Sequence, residues 1–115
     1  MPSLALKLTL NEQKALGELK TELQKKFGPS LVLLKLFGSK ARGDSHQESD
    51  LDVLVVIRNL TKKEKGWIIG VAYELLLKYN NVNISPRTYS EKTWKYYTDL
   101  PLSFAYTIEK EGIKI

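Results

Sequence analysis

The sequence predicts an α/β or α+β domain in which a small mixed β-sheet is covered by about four helices. Three observations carry that prediction. Two apolar runs, Leu31 to Phe37 and Val53 to Ile57, have the length and apolar density of buried strands and flank a glycine turn and a polar loop. Two segments, Thr9-Leu10-Asn11-Glu12 and Thr61-Lys62-Lys63-Glu64, have the pattern of a capping box, and each opens a run of apolar residues at helical spacing. The resulting order is helix, strand, strand, helix, strand, helix, helix. Its short first strand-to-strand connection favours an antiparallel pair.

Taken in order, Leu16, Leu19, Leu23 and Phe27 lie on one helical face, so a first helix is expected from about Leu10 to Phe27, ended by Gly28-Pro29. Leu31 to Phe37 is interrupted only by Lys35, which predicts a central strand with both faces covered. A second strand is expected from Asp50 to Ile57. The helix opened by Thr61 carries Trp67, Ile68, Val71, Ala72, Leu75, Leu76 and Tyr79 on its core side. Ile69, Tyr73 and Leu77 widen that stripe, which predicts cover from another subunit or chain. Val82 to Ser85 reads as a short third strand stopped by Pro86, with Val82 and Ile84 inward and Asn83 and Ser85 outward. Ser90 caps a helix reaching Tyr97, and a last helix runs from Leu102 to Glu111 before Gly112. Trp94, Phe104, Tyr106 and Ile108 are expected to close the core.

The chemistry is expected in the stretch from Gly38 to Asp52. Side chains two apart on a strand point the same way. Asp50 and Asp52 therefore present two carboxylates on one face while Leu51 packs on the other. Mg²⁺ favours such oxygen ligands and takes one or two carboxylates together with the phosphates of its substrate. Gly38 allows the backbone to come close to a ligand, and Ser39 offers a hydroxyl and an amide where the chain leaves the strand. A short helical turn from Ser39 would aim amides at a phosphate, with Lys40 and Arg42 beside it either as phosphate ligands or as solvated loop charges. Asn83 offers an amide oxygen as a further metal ligand without adding charge. Asp44, His46 and Glu48 read as solvated loop residues, and Arg87 as a surface charge with a phosphate contact as its alternative.

Gly38-Ser39, ten residues, then Asp50-Leu51-Asp52 resembles the signature of the DNA polymerase β-like nucleotidyltransferase superfamily, as do Lys40-Ala41-Arg42-Gly43 and the run Ser49 to Val56. In size the chain looks like the minimal nucleotidyltransferases encoded beside HEPN-domain partners. The resemblance implies the polymerase β-like fold and transfer of a nucleoside monophosphate from an NTP, with ATP the expected donor, to an acceptor hydroxyl. It also implies one or two Mg²⁺ ions at the catalytic and metal-binding Asp50 and Asp52. The acceptor it suggests is a HEPN-family toxin, which would make this chain the antitoxin. The family often has a third carboxylate on the neighbouring strand, whereas this sequence has Asn83 and Ser85 there. That departure supports a rival reading, a catalytically weak or inactive antitoxin that neutralises its partner by contact.

Composition bounds the alternatives. The 115 residues suit one domain, 1–115. With no cysteine, disulfides, zinc–thiolate sites and thiol catalysis are excluded. No apolar run nears the roughly 20 residues of a membrane span, and no secretory leader pattern is present, so a cytoplasmic protein without membrane contact is expected. A net charge of +5 favours anionic partners. The lysines are scattered and no aromatic–glycine RNA motif is present, so nucleic acid is not the expected partner. So small a domain has little surface to enclose both an NTP and an acceptor, which predicts a protein partner or a homodimer.

Overall fold

The computed structural model of the chain describes residues 8–43, 50–101 and 103–115. Helix α1 (Leu10–Phe27) begins at the Thr9 capping box: the Thr9 side chain accepts from the Glu12 amide, and the Glu12 carboxylate accepts from the Thr9 amide at 2.9 Å. A 3₁₀ turn (Gly28–Ser30) leads into β1 (Leu31–Phe37), and a single helical turn, α2 (Ser39–Arg42), follows. Then come β2 (Leu51–Ile57), α3 (Lys62–Lys78) with its own Thr61–Glu64 capping box, β3 (Ile84–Ser90), α4 (Glu91–Thr98), α5 (Phe104–Glu111) and β4 (Ile113–Lys114).

The four strands form one mixed sheet in the order β3-β2-β1-β4. Strands β1 and β2 pair antiparallel, as expected, with Phe37 opposite Asp52. Strands β2 and β3 run parallel, with Asp52 opposite Ser85 and Leu54 opposite Arg87. Helix α3 is the crossover between them. The sheet separates two apolar clusters. One face packs Leu34, Leu36, Leu51, Val53, Val55 and Ile57 against the inner stripes of α1 and α3. The other packs Phe37, Leu54 and Val56 against Trp94, Ala105 and Ile108 of α4 and α5. Because alternate residues of β2 point to opposite faces, Asp52 lies on the α4/α5 face with Leu54 and Val56.

Three expectations need correction. The third strand starts at Ile84 and continues through Pro86 to Ser90 instead of stopping at Pro86. It lies at the edge of the sheet, where a residue without an N–H need not break a ladder bond. The fourth strand was not foreseen: Ile113–Lys114 pair antiparallel with Lys35 and Leu36, covering the other side of β1. Phe104, expected in the core, is 49% exposed, whereas Trp94 and Ile108 are buried as anticipated. Residues Asp44, His46 and Glu48, and the proposed helix start at Leu102, lie outside the described residues. Ile69, Tyr73 and Leu77 form an exposed line along α3.

Candidate active site

The site is built on the register of β1 and β2. Phe37 stands opposite Asp52, so the chain that leaves β1 passes directly beside the Asp52 carboxylate. The residue that makes the turn is Gly38, at φ 76° and ψ −158°, a backbone region open in practice to glycine alone. A Cβ at this position would overlap Oδ2 of Asp52 and stand 3.2 Å from its Cγ. Glycine is thus required twice, once for the dihedral and once for the space that the carboxylate fills.

Beyond Gly38 the chain coils into α2. The Arg42 amide donates to the Gly38 carbonyl at 3.1 Å and the Gly43 amide to the Ser39 carbonyl at 2.9 Å, with Gly43 at φ 80° closing the turn. The first amides of any such turn have no carbonyl partner within it, and here the turn starts at Ser39, one residue after the glycine whose missing side chain makes room for the Asp52 carboxylate. Ser39 is half-buried. Lys40 is not directed at this opening. Its side chain is 3% exposed, and Nζ stands 2.9 Å from Oε2 of Glu12 on α1. Glu12 therefore serves both the capping box, through Oε1, and a buried ion pair, through Oε2. This pairing anchors the glycine turn to the start of α1.

Asp50 immediately precedes β2, two residues before Asp52, and Leu51 between them is buried on the other face of the sheet. Asp50 is exposed and its Oδ1 accepts a hydrogen bond from the Asn83 side-chain amide at 2.8 Å. The Leu51 amide donates to the Asn83 carbonyl at 2.9 Å, which fixes the two chains side by side. Asn83 accordingly meets Asp50 as a donor. Asp52 is half-buried, and its pKa is raised above the ordinary aspartate value by burial first and by the neighbouring Asp50 charge second. Arg87 and Arg42 act in the opposite direction. Asp52 thus has two guanidinium groups within electrostatic reach, one on β3 and one on α2.

Arg87 arrives there through the parallel register of β3: Ser85 lies opposite Asp52, and Arg87 is the next residue on the same face. Its guanidinium stands 5.5 Å from the centroid of the Phe104 ring. Phe104 in turn packs edge-on against Phe37 at 5.6 Å. Sequence reasoning had treated Arg87 as a surface charge and Phe104 as core. Arg87 is placed by the β2–β3 register, and Phe104 by the packing of α5 on Phe37, neither of which a local pattern reports. Among the described residues, no three His, Cys, Asp or Glu side chains come together as a metal cluster. Among the described residues, Asp50 and Asp52 are the carboxylates here that could hold a cation, and the turn at Gly38, Arg42 and Arg87 are the groups that could meet an anion.

Paired carboxylates beside a glycine turn on a mixed sheet, with cationic side chains around them, have the donor chemistry that a hard cation and a polyanion require. The chain belongs to the nucleotidyltransferase domain family, whose model matches residues 16–115. It is 43% identical over 81 residues to "Putative protein adenylyltransferase MJ0141" of Methanocaldococcus jannaschii, covering 70% of this chain and 74% of that protein. It is 32% identical over 96 residues to "Putative protein adenylyltransferase MJ0604" of the same organism, covering 79% of this chain and 92% of the relative. A solved structure titled as a putative nucleotidyltransferase from Sulfolobus solfataricus superposes with a TM-score of 0.41 at 18% identity, over 79% of this chain and 84% of that one. The mixed α/β architecture is consistent with the polymerase β-like fold, and the chain is a transferase of nucleotidyl groups.

Proposed function

We propose that this chain is an adenylyltransferase that moves AMP from ATP to a hydroxyl on a protein, with Asp50 and Asp52 as the catalytic carboxylates. The single observation that carries the reading is the seat of the Asp52 carboxylate in the space left by Gly38, beside the first amides of α2. The relatives' names, which specify protein adenylyl transfer, support the acceptor class. In the reaction the acceptor oxygen attacks the α-phosphorus and the bond to the bridging oxygen of the β-phosphate breaks. Pyrophosphate leaves with that electron pair, and the acceptor proton is lost to water.

The residues fit a divalent cation such as Mg²⁺. The pKa of Asp52 is raised by burial and then by its neighbour Asp50, and Asp50 and Asp52 would hold such an ion, whose charge would offset their repulsion. When bound, such an ion neutralises the triphosphate and lowers the pKa of the acceptor hydroxyl. Gly38 and Ser39 hold phosphate oxygens through backbone amides and the serine hydroxyl. Arg42 and Arg87 take up phosphate charge from either side of the carboxylate pair. Lys40 is reassigned from phosphate ligand to positioning residue, because its ammonium is committed to Glu12. Asn83 holds Asp50 in place through its amide.

The purified chain, α-labelled ATP and Mg²⁺ are incubated with and without the protein encoded beside it, and both proteins are weighed by mass spectrometry. An AMP adduct that is absent for Asp52→Asn is the expected result. By the family resemblance the neighbour is a HEPN-domain toxin, with this chain as its antitoxin. A second reading, neutralisation by contact alone, is favoured by Asn83 standing beside Asp50 where a third carboxylate would strengthen a metal site, and by the exposed line Ile69, Tyr73 and Leu77. A stable complex with no adduct, unaffected by Asp50→Asn and Asp52→Asn, would establish it instead.

A further inference from the structure

We infer that the half-exposed ring of Phe104 is the platform for the nucleotide base, so that this site selects purine over pyrimidine triphosphates; the inference rests on the nucleotidyl-transfer reading and extends it. Large aromatic side chains are normally kept from water, yet Phe104 is 49% exposed at the N-terminus of α5. Its position is fixed by Phe37, 5.6 Å away edge to face, and Phe37 is the residue directly opposite Asp52. Arg87 lies over the ring at 5.5 Å, and its charge also reaches Asp52. One guanidinium therefore joins the carboxylate pair to the aromatic wall.

Past Phe104 the same sheet face opens into a cleft of about 190 Å³ lined by Tyr89, Trp94, Tyr97, Ser103 and Ala105 as well as Phe104. Tyr89 is the next residue after Arg87 on that face of β3. It packs against Trp94 at 5.3 Å and Tyr97 at 6.0 Å between centroids. Walking along β3 from Ser85 to Arg87 to Tyr89 therefore passes from the carboxylates to a cationic group and then to aromatic rings. A nucleotide has the same order of chemistry: metal-bound phosphates, a sugar, and a flat aromatic base. The Ser103 hydroxyl donates to the Tyr97 carbonyl at 2.9 Å and accepts from the Tyr106 amide, so the cleft wall is held by its own bonds. Stacking is available to every base, but the larger ring system of a purine covers more of the Phe104 face.

The test is calorimetric titration, with Mg²⁺ present, of ATP, GTP, UTP and inorganic tripolyphosphate into the wild-type chain and into Phe104→Leu and Phe104→Trp. For wild type, ATP and GTP are expected to bind on the order of tenfold more tightly than tripolyphosphate, with UTP between them. Phe104→Leu is expected to erase that advantage while leaving tripolyphosphate affinity unchanged, and Phe104→Trp to keep it. Circular dichroism melting of each variant separates loss of stacking from loss of fold. If ATP and tripolyphosphate bind wild type equally and Phe104→Leu alters neither, the platform is overturned and nucleotidyl transfer stands. A fall in acceptor turnover for Phe104→Leu at unchanged ATP affinity would give the ring to the acceptor, also overturning the inference. If neither ligand binds wild type, both readings fall together.

Discussion

Gly38 shows how one residue can carry both a fold and a site. Its dihedrals fall where other residues incur about 1–3 kcal/mol of strain, and a methyl group there would collide with the Asp52 carboxylate. Gly38→Ala is therefore expected to lower the urea unfolding midpoint by an amount matching at least that strain, and to reduce adenylyl transfer by more than a hundredfold through displaced Asp52. Lys40 and Glu12 pose a different problem, two buried charges that satisfy each other. Removing one partner of such a pair strands the other and costs about 3–5 kcal/mol. Lys40→Met is expected to show that loss in denaturant titration. Combining it with Glu12→Gln should restore most of it, since a glutamine still completes a capping box. A double variant no more stable than Lys40→Met would mean that the loss lies in packing and not in the stranded charge.

At the scale of elements, the two helices on one face of the sheet are joined by a polar clasp. Glu18 on α1 accepts from Lys78 Nζ and from the Tyr79 hydroxyl, each at 2.8 Å, at the end of α3. These hydrogen bonds, the one from Lys78 being the larger influence, lower the pKa of Glu18. The unfolded chain then binds more protons than the folded one in the interval below the ordinary glutamate value. The clasp thus contributes fully above that value, and its contribution is lost as pH falls through the lowered one. Glu18→Gln should accordingly reduce stability at neutral pH and flatten the acid limb of a stability–pH profile. A limb of unchanged steepness would remove the clasp from the account.

What was legible in the sequence divides along the same elements. The capping boxes at Thr9 and Thr61 stand out because they are contiguous, and both are present. The antiparallel β1–β2 pair is present, and alternation along β2 puts Asp52 on the face opposite Leu51. Lys40 was misjudged because a lysine in a glycine-rich loop reads as solvated unless the partner across the fold is known, and Glu12 lies twenty-eight positions earlier in the chain. Arg87 depends on β3 running past Pro86, which reads in the sequence as the end of that strand, and Phe104 on how the last helix packs against Phe37. A two-residue strand such as β4 has no periodicity to detect.

For the whole molecule, the central expectation is thermodynamic. A ligand that binds only the folded chain raises its stability by about 2.7 kcal/mol at a hundred times its dissociation constant. Mg²⁺ with ATP should therefore shift the melting temperature upward by several degrees, and the shift should disappear in Asp52→Asn. A shift retained by that variant would move the nucleotide to another surface.

The buried pair between Lys40 and Glu12 carries one more consequence. It ties the turn that would receive phosphate to the first turn of α1, which is itself seated on the sheet by Leu16, Leu19 and Leu23. Nucleotide affinity then doubles as an internal readout of whether the amino-terminal helix has docked. A chain caught with that helix undocked would carry its carboxylates on β2 yet lack an anchored phosphate turn, and so would be silent until assembly was complete. Truncating Leu19 to alanine, on the helix face away from any nucleotide, should weaken ATP binding in proportion to the undocked population that hydrogen exchange detects.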